Sequence, residues 1–319
     1  MSLPAGWTPE QLAQASAAEI AAGRLPLTAQ WRIAAQRQAA EQGRAAFTSG
    51  LSVAEFAALR SIGFEPVGQV MGSAVYHIGW WSVGCGYGGG GGLLGMLASG
   101  FAPAPVVDVP GTRQLMDEAR HRAMHRLHAE CQGLGADGVV GVQLTVAPFM
   151  GDGMEFVATG TAVRARGDTR PGRVFTSDLS AQDFVKLVRA GWLPVALVMG
   201  LAVALRHDDW TTQYQQRSWY NQELVGSTQL VQAVRAGARA ALEADVRRHG
   251  GQGVVLRDTV LRVAEVRCRQ FGSKSEQHDH YADAYLYGTA IVPLPERDVD
   301  PATHASPLPM LRLDDRRSR

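Results

Sequence analysis

The chain has 319 residues, 46% of them hydrophobic, and 31 basic against 30 acidic side chains give a formal net charge of +1. That length admits two domains, each with its own core, and the near-zero charge offers no field for a polyanion, so no nucleic-acid partner is expected. Only two lysines, Lys186 and Lys274, are present for Schiff-base or phosphate-gripping chemistry, and the three widely spaced cysteines, Cys85, Cys131 and Cys268, suggest neither a disulfide framework nor a zinc knuckle.

The first twenty residues, MSLPAGWTPEQLAQASAAEI, lack a basic start followed by an apolar core, and a cytoplasmic location is expected. Between 8 and 42 two short helices are predicted. Thr8 before Pro9 and Thr28 after RLPL mark their starts, and Gly23 and Gly43 are placed to end them. Residues 66–107 carry no Asp, Glu, Lys or Arg. Glycines and prolines nevertheless interrupt every window of about 20 residues that a spanning helix needs.

From residue 47 the chain repeats itself. FTSGLSVAEFAALRSIGFEPVGQVMG at 47–72 aligns with FTSDLSAQDFVKLVRAGWLPVALVMG at 175–200 at an offset of 128, pairing Phe47 with Phe175, Gly63 with Gly191, Pro66 with Pro194 and Met71 with Met199. GTAV at 160 and GTAI at 288 keep that offset, whereas the helical stretch between them runs at 115, so that Leu115, Ala119, Ala123 and Leu127 match Leu230, Val234, Ala238 and Leu242. Repeat 1 is therefore longer by 13 residues in a glycine-rich loop, and repeat 2 by 13 in its last hairpin, CRQFGSKSEQHDHYADAY. Insertions are tolerated where backbone runs over the surface, so both are read as loops on a shared scaffold.

Each repeat opens with a helix start, Ser52 with Glu55 or Ser180 with Asp183, where the hydroxyl accepts a free backbone N–H. A short amphipathic helix leads to an apolar run read as a long strand with a glycine at a bend or bulge. After the variable loop, 112–133 and 227–249 place apolar residues at every fourth position, a helix with one buried stripe, and two β-rich runs then form a hairpin. The unit is β-α-β-β with a leading helix, in an α+β protein. Its expected divisions are an N-terminal helical segment at 1–46, repeats at 47–167 and 168–294, and a flexible tail at 295–319. A three-stranded sheet covered by one helix buries one face well and leaves the other face or its edges needing a partner, so oligomerisation is expected.

LGADGVVGVQL after a helix, followed by a hairpin ending TGTAVRARG and supported by the GFEPVGQVMG strand, resembles the YbjQ family, whose label is heavy-metal-binding. The resemblance is clearest over 47–167, and 175–294 is reached through the first repeat; there GGQGVV replaces GADGVV, and Leu256 stands at the place of Gly141. It implies two tandem dodecin-like repeats in a homopentamer, most simply as two stacked pseudo-equivalent rings. It implies no activity, and no enzyme is expected.

Three groups of residues are candidate sites. Gly84, Gly86 and Gly89 have G-x-G-x-x-G spacing, but the glycines and prolines that follow prevent the helix a phosphate would need. The same loop carries Trp80, Trp81, Leu93, Leu94, Met96, Leu97 and Phe101, an apolar set that reads as a partner or membrane contact, or as a loop folded back over the sheet. His121, His125, His128 and Cys131 share one helical face at a spacing suited to a divalent transition metal such as zinc, copper or nickel, although a polar face meeting solvent or a subunit is the more ordinary reading. Repeat 2 has Ala236, Ala240, Glu243 and Val246 at those positions, so the cluster is no part of the shared scaffold. His278 and His280, with Glu276, Asp279 and Asp283, form a third set in the extended hairpin, read as a divalent-ion loop or as solvated surface. No other cofactor is implied.

Overall fold

The computed structural model describes residues 7–44, 46, 48–77, 104–151, 153–167, 170–267 and 278–294. Thr8 caps helix α1 (Pro9–Ala21), its hydroxyl accepting from the Gln11 N–H while the Gln11 side chain accepts from the Thr8 N–H. Helix α2 (Leu27–Glu41) begins one residue before the expected Thr28, because Pro26 at φ −60° and ψ 150° already supplies the extended residue that precedes a first turn. Gly23 and Gly43 end the two helices at φ of 78° and 66°.

Repeat 1 contains α3 (Val53–Ser61), β1 (Phe64–His77), β2 (Val106–Asp108), α4 (Pro110–Gly133), β3 (Gly138–Phe149) and β4 (Gly153–Ala165). Repeat 2 contains β5 (Phe175–Thr176), α5 (Ala181–Arg189), β6 (Trp192–His207), α6 (Trp210–Gln216), α7 (Val225–Arg248), β7 (Gly253–Arg267) and β8 (His278–Pro293). The expected β-α-β-β order is present in both. Ser52 and Ser180 cap α3 and α5 through the N–H groups of Glu55 and Asp183. The short strands β2 and β5 and the helix α6 have no counterpart in the sequence expectation.

The strands form two four-stranded sheets, in the orders β1-β4-β3-β5 and β2-β6-β8-β7. Each is antiparallel except for the pairing of β5 with β3. The duplication extends to irregularities: pairing shifts register between Pro66 and Gly68 in β1 and between Pro194 and Ala196 in β6. The bulge therefore follows the proline, and the glycine expected to bend the strand does something else. Gly72 and Gly200 pair without interruption with Ala158 and Leu286. They let a helix lie directly on the strand, since a Cβ on Gly72 would stand 2.0 Å from the carbonyl oxygen of Ala123 in α4, and one on Gly200 would stand 1.9 Å from that of Ala238 in α7.

The order of layers follows from which face of each strand is apolar. Val70 and Ala74 on β1, with Phe156 and Ala158 on β4, pack beneath α4, and Ala202, Ala204, Ala282 and Ala284 pack beneath α7. Met116, Ala119 and Ala123 of α4 share one buried cluster with Ala74 and Phe156 of the first sheet and with Met199, Leu201, Val203 and Leu205 of β6. Helix α4 is thus shared between the sheets, and β6 is buried on both faces along most of its length. Among the described residues no helix is long and apolar enough to cross a membrane. Gly72→Ala and Gly200→Ala should each cost about 3 kcal/mol in urea unfolding, because the helix backbone must withdraw from the strand.

Candidate functional site

Each repeat carries a carboxylate in the same place, and the one in repeat 2 joins the two repeats. In repeat 1, Glu130 on α4 accepts the backbone N–H of Met71 at 2.9 Å. In repeat 2, Asp245 on α7 accepts that of Met199 at 3.0 Å. The bond to Met199 is buried and that to Met71 partly so, and in each case the acid gives the strand N–H the partner that a flanking strand would otherwise supply. The carboxylates differ in how their charge is met. Asp245 is reached by Arg120, from α4 of the other repeat, at 3.2 Å, and the two side chains are 3% and 4% exposed. Arg248 completes it at 2.7 Å. Glu130 instead pairs with Arg32 on α2, so the N-terminal helices are held to repeat 1 by the corresponding acid.

Around this ion pair the repeats exchange secondary structure. β2, from the crossover of repeat 1, pairs with residues 204–206 of β6, and β5, at the head of repeat 2, pairs with Gly138 and Val139 of β3. Helices α3 and α5 lie together over a cluster containing Leu59, Val140, Val163, Phe175 and Phe184. Phe184 stacks on Phe175 at 5.6 Å and meets Phe64 edge-on at 5.4 Å. Glu55 accepts the N–H of Ala181 across the junction at 3.2 Å. Its carboxyl is held below its ordinary range mainly by the backbone N–H of Ser52, with Ala181 contributing.

A cleft of about 230 Å³ opens between the sheets, lined by Leu144 and Val146 on one side and by Val260, Arg262, Tyr285 and Tyr287 on the other. The guanidinium of Arg262 lies 5.4 Å from the centre of the Tyr285 ring, and the Tyr285 hydroxyl meets the sulfur of Met116 at 3.7 Å. Beside them Asp283 is buried. Burial pushes its carboxyl up to about 6, with Arg262 and Tyr285 opposing the shift. Buried tyrosines, a guanidinium and an acid make a polar seam between the sheets.

The residues singled out from the sequence are placed as follows. His121 and His125 lie on the exposed side of α4 and His128 is partly buried, whereas Cys131 faces the core and donates to the carbonyl of Gly138 at 3.5 Å. Burial pushes the Cys131 thiol up to about 12. Burial also lowers His121, helped by the neighbouring Arg120, and lowers His128, helped by His125 and His249. His278 and His280 open β8. His278 pairs with Glu265 at 3.3 Å and His280 with Asp208 at 2.7 Å, the latter carboxylate raising the imidazole, while Asp279 pairs with His207 at 2.6 Å. Asp283 lies further along the strand in the core, and Glu276 is outside the described residues. Among the described residues no group of three or more His, Cys, Asp or Glu comes together in a way that could hold a metal ion. Trp80, Trp81, Leu93, Leu94, Met96, Leu97 and Phe101 are all outside the described residues. The residues that the sequence reading passed over are Arg120, Glu130 and Asp245. They left a signal, an acid at matched positions in both repeats and an arginine at 120 and 235.

Residues 109–166, from the start of α4 through β4, match the YbjQ family, described as "Putative heavy-metal-binding". An "Encapsulin nanocompartment protein" of Mycobacterium tuberculosis is 37% identical over 216 residues, which cover 66% of this chain and 76% of that one. The chain belongs to the same family as this mycobacterial protein, and its residues 109–166 carry a YbjQ domain. The β-α-β-β unit that contains this domain occurs twice in the chain. A UPF0145 protein of Halorubrum lacusprofundi is 42% identical over 59 residues, 18% of this chain and 57% of that protein. Another, of Thermotoga maritima, is 32% identical over 68 residues, 21% of this chain and 64% of its own. Against these shorter YbjQ relatives the chain spans a little over half of their length.

Two predictions concern the junction between the repeats. Asp245→Asn keeps an acceptor for the Met199 N–H but leaves the buried Arg120 with only the more exposed Asp117, at 3.9 Å, as a counter-charge, and should cost about 3 kcal/mol in urea unfolding; adding Arg120→Met should restore most of that loss. Asp283 binds its proton more tightly in the folded chain than in the unfolded one, so stability falls as pH rises from about 4 to about 6. Asp283→Asn should therefore melt above the parent protein at pH 8, and the difference should close by pH 4.

Proposed function

We infer that this protein is a non-enzymatic scaffold that assembles with copies of itself. The observation that carries the reading is β7, an edge strand of fifteen residues on which Leu256 and Val263 are exposed. A long open edge with apolar side chains is a pairing surface that soluble proteins normally shorten, charge or cover. Self-association covers it. The mycobacterial relative, named for a nanocompartment, supports an assembly role, and its match extends over two thirds of this chain. The YbjQ resemblance supports a dodecin-like homopentameric ring as the form of that assembly. The apolar loop residues between Trp80 and Phe101 would then be repeated around the ring as a face for another protein or for a membrane surface.

A native mass spectrum of untagged protein, purified without chelator at micromolar concentration, tests the reading. A closed homo-oligomer is expected, with five chains the leading stoichiometry. A single species at 34.2 kDa would remove the scaffold reading. The same spectrum reports any metal retained per chain, which would bring His121, His125 and His128 forward.

A further inference from the structure

The contact that joins the two repeats is directional, and each outer end of the chain keeps the half that the other end lacks. In repeat 1 the free edge of β3 is taken by the stretch that opens repeat 2. Phe175 and Ser177 donate their N–H groups to the carbonyls of Asp137 and Val139 at 3.2 and 2.9 Å, and the carbonyls of Leu179 and Ser177 accept from Gly141 and Val142 at 3.0 and 2.8 Å. The ring of Phe175 sits on Gly138, where a Cβ would meet it at 2.3 Å. The matching edge in repeat 2 is that of β7, and it keeps the glycine: Gly253 aligns with Gly138. Among the described residues the socket is open, and a Cβ on Gly253 would meet only Ile291 of the paired strand, at 3.4 Å. The segment that fills the first socket, FTSDL at 175–179, has its duplicate FTSGL at 47–51, and in the described part of that duplicate Thr48 and Ser49 pair with no strand.

The complementary half lies on the sheet of repeat 1. Met199 and Val203 are buried beneath α4, whereas their duplicates Met71 and Val75, on the same face of β1, are 50% and 49% exposed. Repeat 2 carries the elements that would cover them. Helix α7, aligned with α4, leaves Arg235 exposed at the position of Arg120, and the stretch leading into it holds Trp219 and Tyr220 at 99% and 85% exposed. Asp245 takes two arginines, Arg120 and Arg248, where Glu130 takes one, Arg32. Arg235 is the duplicate of Arg120.

We propose that one chain joins the next through a copy of its own internal contact. The 48–51 stretch of one molecule closes the β7 edge of a second near Gly253, while α7 and Trp219 of that second molecule cover Met71 and Val75 of the first. The contact is heterologous, so it propagates head to tail and closes into a ring when the rotation permits. Repeats of the two kinds then alternate around a single ring instead of forming two stacked ones. The inference rests on the scaffold reading above and names its surface.

Two variants, each altering a surface that is open in the single chain, separate the halves of the contact. Gly253→Trp blocks the β7 socket, and Met71→Lys with Val75→Lys puts charge on the sheet face. Circular dichroism should show both folded, with Trp219→Ser standing in for Gly253→Trp if that variant does not fold. In sedimentation velocity each alone should self-associate at least about 30-fold more weakly than the parent protein. Mixed in equal amounts they should form a heterodimer, because each retains the half that the other has lost. Persistence of the parent oligomer in either variant, or an equimolar mixture that stays monomeric, would overturn the proposal and leave the scaffold reading standing. A parent protein that is monomeric removes both.

Discussion

The backbone of a helix lying directly on a glycine of the strand beneath it is the constraint from which the rest of this structure follows. At Gly72 and Gly200 the helix passes so close that no side chain fits, and it lies over the neighbouring strand N–H. A donor so covered needs an acceptor. Glu130 and Asp245, carried on the same helices, provide it at Met71 and Met199. Close packing and polar satisfaction are therefore a single feature, kept in both repeats although the acid itself has changed from Glu to Asp.

The buried acid then needs a counter-charge, and the source of that charge ties the parts of the chain together. Asp245 draws Arg120 out of the neighbouring repeat, while Glu130 draws Arg32 out of the N-terminal helices. Isolated, either carboxylate would be costly to bury. Paired and hydrogen-bonded, it becomes a registration device that fixes which helix lies on which sheet. The fold of one repeat and the docking of the next converge on the same few atoms.

Duplication also separates what the scaffold needs from what is free to vary. The glycine under each helix, the acid above it and the bulge after each proline occur twice. The histidines at 121, 125 and 128 occur once, and alanine, alanine and glutamate replace them in repeat 2. Gly141 becomes Leu256 on a strand whose outer edge is open. With two unlike repeats in one chain, the two ends of an assembly contact can diverge independently, which a single YbjQ unit packing on identical copies cannot do.

Much of the fold was legible in the sequence because it is written in local signals. Thr8, Ser52 and Ser180 announce helix starts through hydroxyls that accept nearby N–H groups, and four-residue apolar spacing marks α4 and α7. The duplication itself needed only an alignment of the chain with itself. What local signals could not convey was partnership between segments far apart in the chain. Gly72 read as a bend, since nothing nearby says that a helix backbone about fifty residues later will occupy the place of its side chain. Cys131 shares the helical spacing of the histidines, yet it is core, because the sheet covers a wider arc of α4 than periodicity alone suggested. The exchange of β2 and β5, the pairing of Arg120 with Asp245 and the raised proton affinity of Asp283 arise only when two repeats are pressed together and water is excluded between them. The sequence alone determined the unit and its repetition, through short-range hydrogen bonding and periodic burial. Tertiary structure decided how one unit lies on the next, because desolvation at that contact depends on surfaces that no single stretch of chain contains.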